Sequence, residues 1–229
     1  MYGTICKNKR KRSPMTSDTK ILLGISIGAV ILAIGAAFIF GNPSASVSGT
    51  KADPTKLTHT DSFKTASGSA KVTLVEFGDY QCPTCGNMHK PLKQLVEENK
   101  GNVSLVFRNF PLIQLHKNAL LAAYAAEAAG KLGKFWEVHD QLYENQPAWS
   151  ESNTAEQLFI QYAKNAGLDE KKFADLMKSD EVAKKVSRDL KDGTDLGVNG
   201  TPTFFINGQQ YYGPLSYDGL KKEIDSELK

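Results

Sequence analysis

The chain has 229 residues and a formal charge of +3, enough for one ordinary core with appendages. The charge is uneven: residues 1–20 hold Lys7, Lys9, Arg10, Lys11, Arg12 and Lys20 against Asp18, a net +5, which leaves −2 for the rest. The basic block abuts an apolar run and reads as a topogenic flank, and the weakly acidic remainder gives no basis for a nucleic-acid partner.

Residues 21–40, ILLGISIGAVILAIGAAFIF, carry no charge. At about 1.5 Å per residue the run spans roughly 30 Å, the thickness of a bilayer's hydrocarbon core. It is longer than the apolar region of about 7 to 15 residues in a cleaved secretory signal. A signal-anchor is expected, in contact with membrane lipid through 21–40. Small residues at Ser44, Ala45 and Ser46 leave cleavage there open. Positive flanks stay in the cytoplasm, so residues 1–20 belong inside and residues 41–229 outside a cell membrane crossed once. Residues 41–69 are rich in Ser, Thr, Gly, Ala and Pro and read as a mostly flexible tether. A domain over 70–229 follows.

KVTLVEFGDY, residues 71–80, is apolar on both faces apart from Glu76 and predicts a buried strand. From Cys85 onward Met88, Leu92, Leu95 and Val96 follow helical spacing, with Pro91 inside and Gly101 as a stop. NVSLVFRNF, residues 102–110, predicts a second strand and completes a βαβ unit. Residues 114–196 predict four or five helices, with the charged runs of 169–192 as solvated faces. TFFINGQQYY, residues 203–212, predicts a hairpin turning at Asn207-Gly208, and Ser216 caps a last helix.

The cysteines divide by topology. Cys6 lies on the cytoplasmic side, whereas Cys82 and Cys85 lie outside, where disulfides persist. A pair three apart closes too short a loop to brace a fold. Cys82 falls at a helix N-terminus, whose partial positive charge favours a thiolate. Pro83 suits the first turn, and Thr84 offers a hydroxyl. Cys82, Cys85 and His89 also make a C-x2-C-x3-H set, but a structural zinc site is usually closed by four ligands and no second cysteine pair exists. Helical spacing carries His89 a turn beyond Cys85, to a partly exposed surface position. Redox chemistry is therefore the favoured reading, with no metal and no cofactor. Glu76, among Leu74, Val75 and Phe77, reads as a buried carboxyl that relays a proton for Cys85. His116 reads as a capping or packing residue, and His139, beside Trp136, as a packed helix residue.

With the helical block set aside, the element order is that of thioredoxin. The stretches VTLVEFGDYQCPTC, FRNFPLIQLHKNALLAAYAAEAAGKLGKFWEVHDQLYENQ and VNGTPTFFINGQQYYG resemble DsbA-like thiol–disulfide oxidoreductases, and among them the Com1-like branch, over about residues 70–228. The resemblance implies a thioredoxin fold with a helical insertion, Cys82 as the attacking and Cys85 as the resolving cysteine, and Glu76 as the acidic residue before the pair. It also implies a cis bond at Thr201-Pro202 beside the cysteines, where the Thr201 backbone would pair with a substrate peptide. The function it implies is oxidation of exported proteins bearing cysteine thiols, with reoxidation by a membrane quinone-linked thiol oxidase. A reductase or isomerase of the same fold is the alternative, because Pro-Thr rather than Pro-His separates the cysteines. A non-catalytic metal-binding module is the reading from another class.

Overall fold

The computed structural model describes residues 51–66 and 70–229. The basic segment, the apolar run over 21–40 and the first part of the tether lie outside the described residues. Among the described residues no helix is long and apolar enough to cross a membrane.

Strand β1 (Val72–Gly78) and strand β2 (Val103–Asn109) pair in parallel from Val72↔Val103 to Gly78↔Asn109. Strand β3 (Thr203–Ile206) joins the other edge of β1 antiparallel, and β4 (Gln209–Gln210) returns beside it. The sheet order is β2-β1-β3-β4. The hairpin turns at Asn207 and Gly208, whose φ values of 49° and 87° lie in the left-handed region that a primed turn requires.

Helix α1 (Pro54–Leu57) precedes the sheet, and α2 (Pro83–Glu98) crosses between β1 and β2. Met88, Leu92 and Leu95 of α2 are buried against Leu74, Leu105, Phe204 and the final helix. The insertion comprises α3 (Ala119–Lys131), α4 (Phe135–Glu144), α5 (Gln146–Trp149), α6 (Ala155–Asn165), α7 (Glu170–Met177) and α8 (Asp180–Asp195). Its alanine-rich α3 lets neighbouring helices approach, with Ala122, Ala125, Ala126 and Ala129 buried in one cluster with Phe135, Phe159 and Phe173. Helix α9 (Tyr217–Glu227) closes the fold, and the Ser216 hydroxyl caps it by accepting from Gly219 N.

Two expectations need correction. Residues 51–66 are not a free tether. Leu57 is buried, Phe63 stacks on Phe135 with centroids 4.2 Å apart, and Thr65 N donates to Leu105 O at 3.0 Å. This segment follows the outer edge of β2 and pairs backbone groups that an edge strand otherwise leaves open. Nor is the charged run of α8 wholly solvated: Lys185, Asp189 and Asp192 are buried. They answer charges on β2 and α3. Arg108 is fully buried, donating from Nε to Asp189 Oδ1 at 2.9 Å and from Nη2 to Asp192 Oδ2 at 2.6 Å. Its Nη1 donates to the Lys56 and Leu57 carbonyls at 2.6 and 2.7 Å. Lys185 Nζ and Asn109 Nδ2 both donate to Glu127 Oε1, at 2.8 and 2.7 Å. A single-sequence periodicity cannot see that these charges face one another across three elements.

Candidate active site

The site forms where β1 gives way to α2. Cys82 stands just before the helix with extended φ/ψ of −68° and 122°, and Pro83 occupies the first turn, where its missing N–H has no partner to lose. The loop before it is tightly held. Asp79 Oδ1 accepts from Gln81 N at 2.7 Å, while Oδ2 accepts from Leu112 N at 2.9 Å and lies 2.7 Å from His116 Nδ1. Gln146 Nε2 donates to the Tyr80 and Cys82 carbonyls at 2.7 and 2.9 Å. That approach depends on Gly86, where a Cβ would sit 2.7 Å from Gln146 Oε1. Asp79 and Gln146 escaped the sequence reading. Asp79, two residues before the N–H it accepts, carries the signal of an Asx turn. Gln146 carries none, because its partners lie some 65 positions away.

Both cysteines are free thiols. Cys82 retains 7% of its surface and Cys85 none, so a substrate can meet only the first. Pro83 and Thr84 are exposed beside it. The Cys82 thiol is lowered to about 5, first by a hydrogen bond from the Cys85 thiol, against the opposing effect of burial. The Thr201 hydroxyl and the N–H groups of Cys85 and Thr84 lower it further. The Thr201 hydroxyl is buried and has no hydrogen-bond partner. In its protonated form Cys82 Sγ donates to Thr201 O at 3.3 Å. The Thr201-Pro202 bond is cis, and Pro202 is buried. Burial, the Cys82 sulfur and the Glu76 charge together push the Cys85 thiol well above its ordinary range.

Glu76 is 2% exposed, opposite Phe107 and Phe204 in the sheet, and its Oε1 has no hydrogen-bond partner. Burial, then the nearby Cys82, raises its carboxyl to about 8. The carboxyl borders a cavity of about 260 Å³ shared with His89, Trp136, His139 and Asp140. His89 is not a surface residue: it is buried, because α4 covers that face of α2 and stacks Tyr143 on it at 5.2 Å. His139 is a packed residue as expected, and its Nδ1 lies 2.9 Å from the Tyr80 hydroxyl. His116 braces the loop through Asp79 rather than reaching the sulfurs.

Cys82 and Cys85 should therefore titrate far apart. Alkylation of reduced Cys82 should rise with pH around a midpoint near 5, because its depressed value leaves it a thiolate at neutral pH, whereas Cys85 should react slowly throughout. A common midpoint near 8 to 9 for both, read by mass spectrometry across a pH series, would contradict that division.

The chain matches the thioredoxin family over residues 65–226. It is 33% identical over 224 residues to the probable disulfide bond formation protein D of Bacillus cereus, covering 94% of this chain and all of that one. It is 39% identical over 158 residues to a Na(+)/H(+) antiporter NhaA 1 of Salinispora arenicola, covering 69% of this chain. The chain spans only 23% of that relative's length. The crystal structure of oxidised BdbD from Bacillus subtilis superposes with a TM-score of 0.66 at 27% identity, over 73% of this chain and 93% of that one. With a Cys-x-x-Cys pair at a helix start, a cis-proline beside it and a helical insertion in a β2-β1-β3-β4 sheet, the chain belongs to the thioredoxin family, in its DsbA-like group.

Proposed function

We propose that this DsbA-like thiol–disulfide oxidoreductase works as a dithiol oxidase on exported proteins, held at the outer face of a cell membrane by residues 21–40. The observation that carries the direction is the stabilised Cys82 thiolate. A thiolate held that far below an ordinary thiol favours the reduced enzyme at pH 7, which makes the disulfide the stronger oxidant. The name of the Bacillus cereus relative, which matches nearly the whole chain, supports the same direction.

In this reading a substrate thiolate attacks Cys82 Sγ of the enzyme disulfide. The Cys82–Cys85 bond breaks, and Cys85 leaves as a thiolate that takes a proton from Glu76. A second substrate thiolate then attacks the substrate sulfur of the mixed disulfide. Cys82 departs as a stabilised thiolate, and the two electrons remain on the enzyme dithiol. Reoxidation falls to a membrane quinone-linked thiol oxidase. Large apolar side chains are exposed on the two loops that follow β2 and β4. Ile113 and Leu115 are 50% and 76% exposed on the loop that Asp79 anchors, and Tyr212 is 71% exposed. Tyr211 N donates to Phe204 O, which sets Tyr212 beside Thr203 and the proline loop. An unfolded chain with exposed apolar side chains fits such a surface.

Cys85→Ala in the full chain should accumulate mixed disulfides with exported proteins, visible as reductant-sensitive adducts, because the Cys82 thiolate still attacks and nothing nearby releases the product. Cys82→Ala should trap almost none. Equal trapping by both variants would remove Cys82 from the attacking role.

A further inference from the structure

The cavity beside Glu76 contains a second set of chemistry-bearing groups. His89, His139 and Asp140 each offer one ligand atom within 4.8 Å of the others. His89 Nε2 is buried and has no hydrogen-bond partner; it lies 3.3 Å from Asp140 Oδ1 without the alignment of a hydrogen bond. His139 Nδ1 meets the Tyr80 hydroxyl at 2.9 Å. An imidazole whose Nδ1–H donates to an oxygen presents its Nε2 lone pair to a metal, which is how ligating histidines are usually oriented. The second Asp140 oxygen, Oδ2, accepts from Lys93 Nζ at 2.5 Å, which holds the carboxylate in place and leaves Oδ1 toward the histidines.

We propose that the chain holds a zinc-class divalent ion at His89, His139 and Asp140, a site separate from the cysteine pair. Two nitrogens and one carboxylate oxygen suit zinc or a neighbouring transition ion rather than calcium or magnesium, which take oxygen ligands. Three protein ligands leave a fourth position, and the cavity of about 260 Å³ has room for a water there. The cysteines do not join this group, so the site is not the C-x2-C-x3-H arrangement that the sequence suggests.

The test uses the untagged full-length chain with Cys6→Ser, Cys82→Ala and Cys85→Ala, so that no thiol competes, and cobalt(II) as the probe. One equivalent should bind saturably, with d–d bands and no sulfur-to-cobalt charge transfer, and zinc should displace it. His89→Gln and Asp140→Asn should each weaken binding at least tenfold. Asp140 is part-exposed, so Asp140→Asn decides the matter even if His89→Gln does not fold, with circular dichroism as the check. Absence of saturable binding, or binding unchanged in Asp140→Asn, overturns the site. Neither result bears on the redox reading, since the tested chain has no cysteines.

Discussion

Arg108→Ala should destabilise the folded unit Gly49–Lys229 by about 3–5 kcal/mol, the cost of removing one partner from a buried ion pair. Arg108 is fully buried and satisfies two carboxylates and two carbonyls at once. Its removal leaves Asp189, also fully buried, with Lys185 Nζ at 3.7 Å as its remaining cation, one already hydrogen-bonded to Glu127, and releases the α1 carbonyls that Arg108 ties to β2. It also removes a guanidinium 5.4 Å from the centre of the Phe77 ring. Denaturant unfolding should show the loss as a lower midpoint. The double variant Arg108→Met/Asp189→Leu should recover much of it, because neither charge is then stranded. A loss below about 1 kcal/mol would mean that the cluster behaves like an exposed ion pair.

Glu76→Gln should slow the steps that involve Cys85 by about 10²-fold or more, the usual contribution of a positioned proton-transfer group, while Cys82 alkylation stays fast. The Glu76 carboxyl is buried and lacks a partner, so its chemistry rather than its contacts accounts for its place. The same variant should reveal the energetic burden of the carboxyl. Its folded value is raised from 4.5 to about 8, so the folded state holds a proton that the unfolded chain has lost. Stability contributed by the protonated carboxyl is complete below about 4.5 and declines as pH rises to about 8. Glu76→Gln does not titrate. Its unfolding free energy should therefore match the wild type near pH 4 and exceed it near pH 8, by an amount on the order of 4 kcal/mol. Unchanged exchange rates together with a pH-independent stability difference would leave Glu76 as a packing residue.

Much of the fold was legible because local pattern and tertiary need agree in it. The apolar run over Val72–Gly78, the spacing of Met88, Leu92 and Leu95, and the Asn207-Gly208 turn each point to the element that forms. The cysteine pair was legible for the same reason: Cys82, Pro83 and the helix start are neighbours in sequence. What escaped was set by distant partners. His89 has the spacing of a surface residue, and only the packing of α4 across α2 buries it. Lys185 and Asp189 belong to a run that reads as solvated until Arg108, Asn109 and Glu127 are brought against it. Residues 51–66 have the composition of a linker, yet Leu57 and Phe63 find buried positions. Composition measures how little apolar surface a segment offers, not whether a neighbouring edge can use it.

The reduction potential of the Cys82–Cys85 pair, measured by equilibration with glutathione, tests the oxidase reading most directly. A Cys82 thiolate stabilised by Cys85, Thr201 and backbone N–H groups should set the pair less negative than about −200 mV, toward the DsbA end of the family scale. The oxidised chain should then convert a reduced unfolded protein to its disulfide form faster than glutathione disulfide at equal concentration. A potential near the thioredoxin value of about −270 mV, with ready reduction of protein disulfides, would contradict the account and make the chain a reductase.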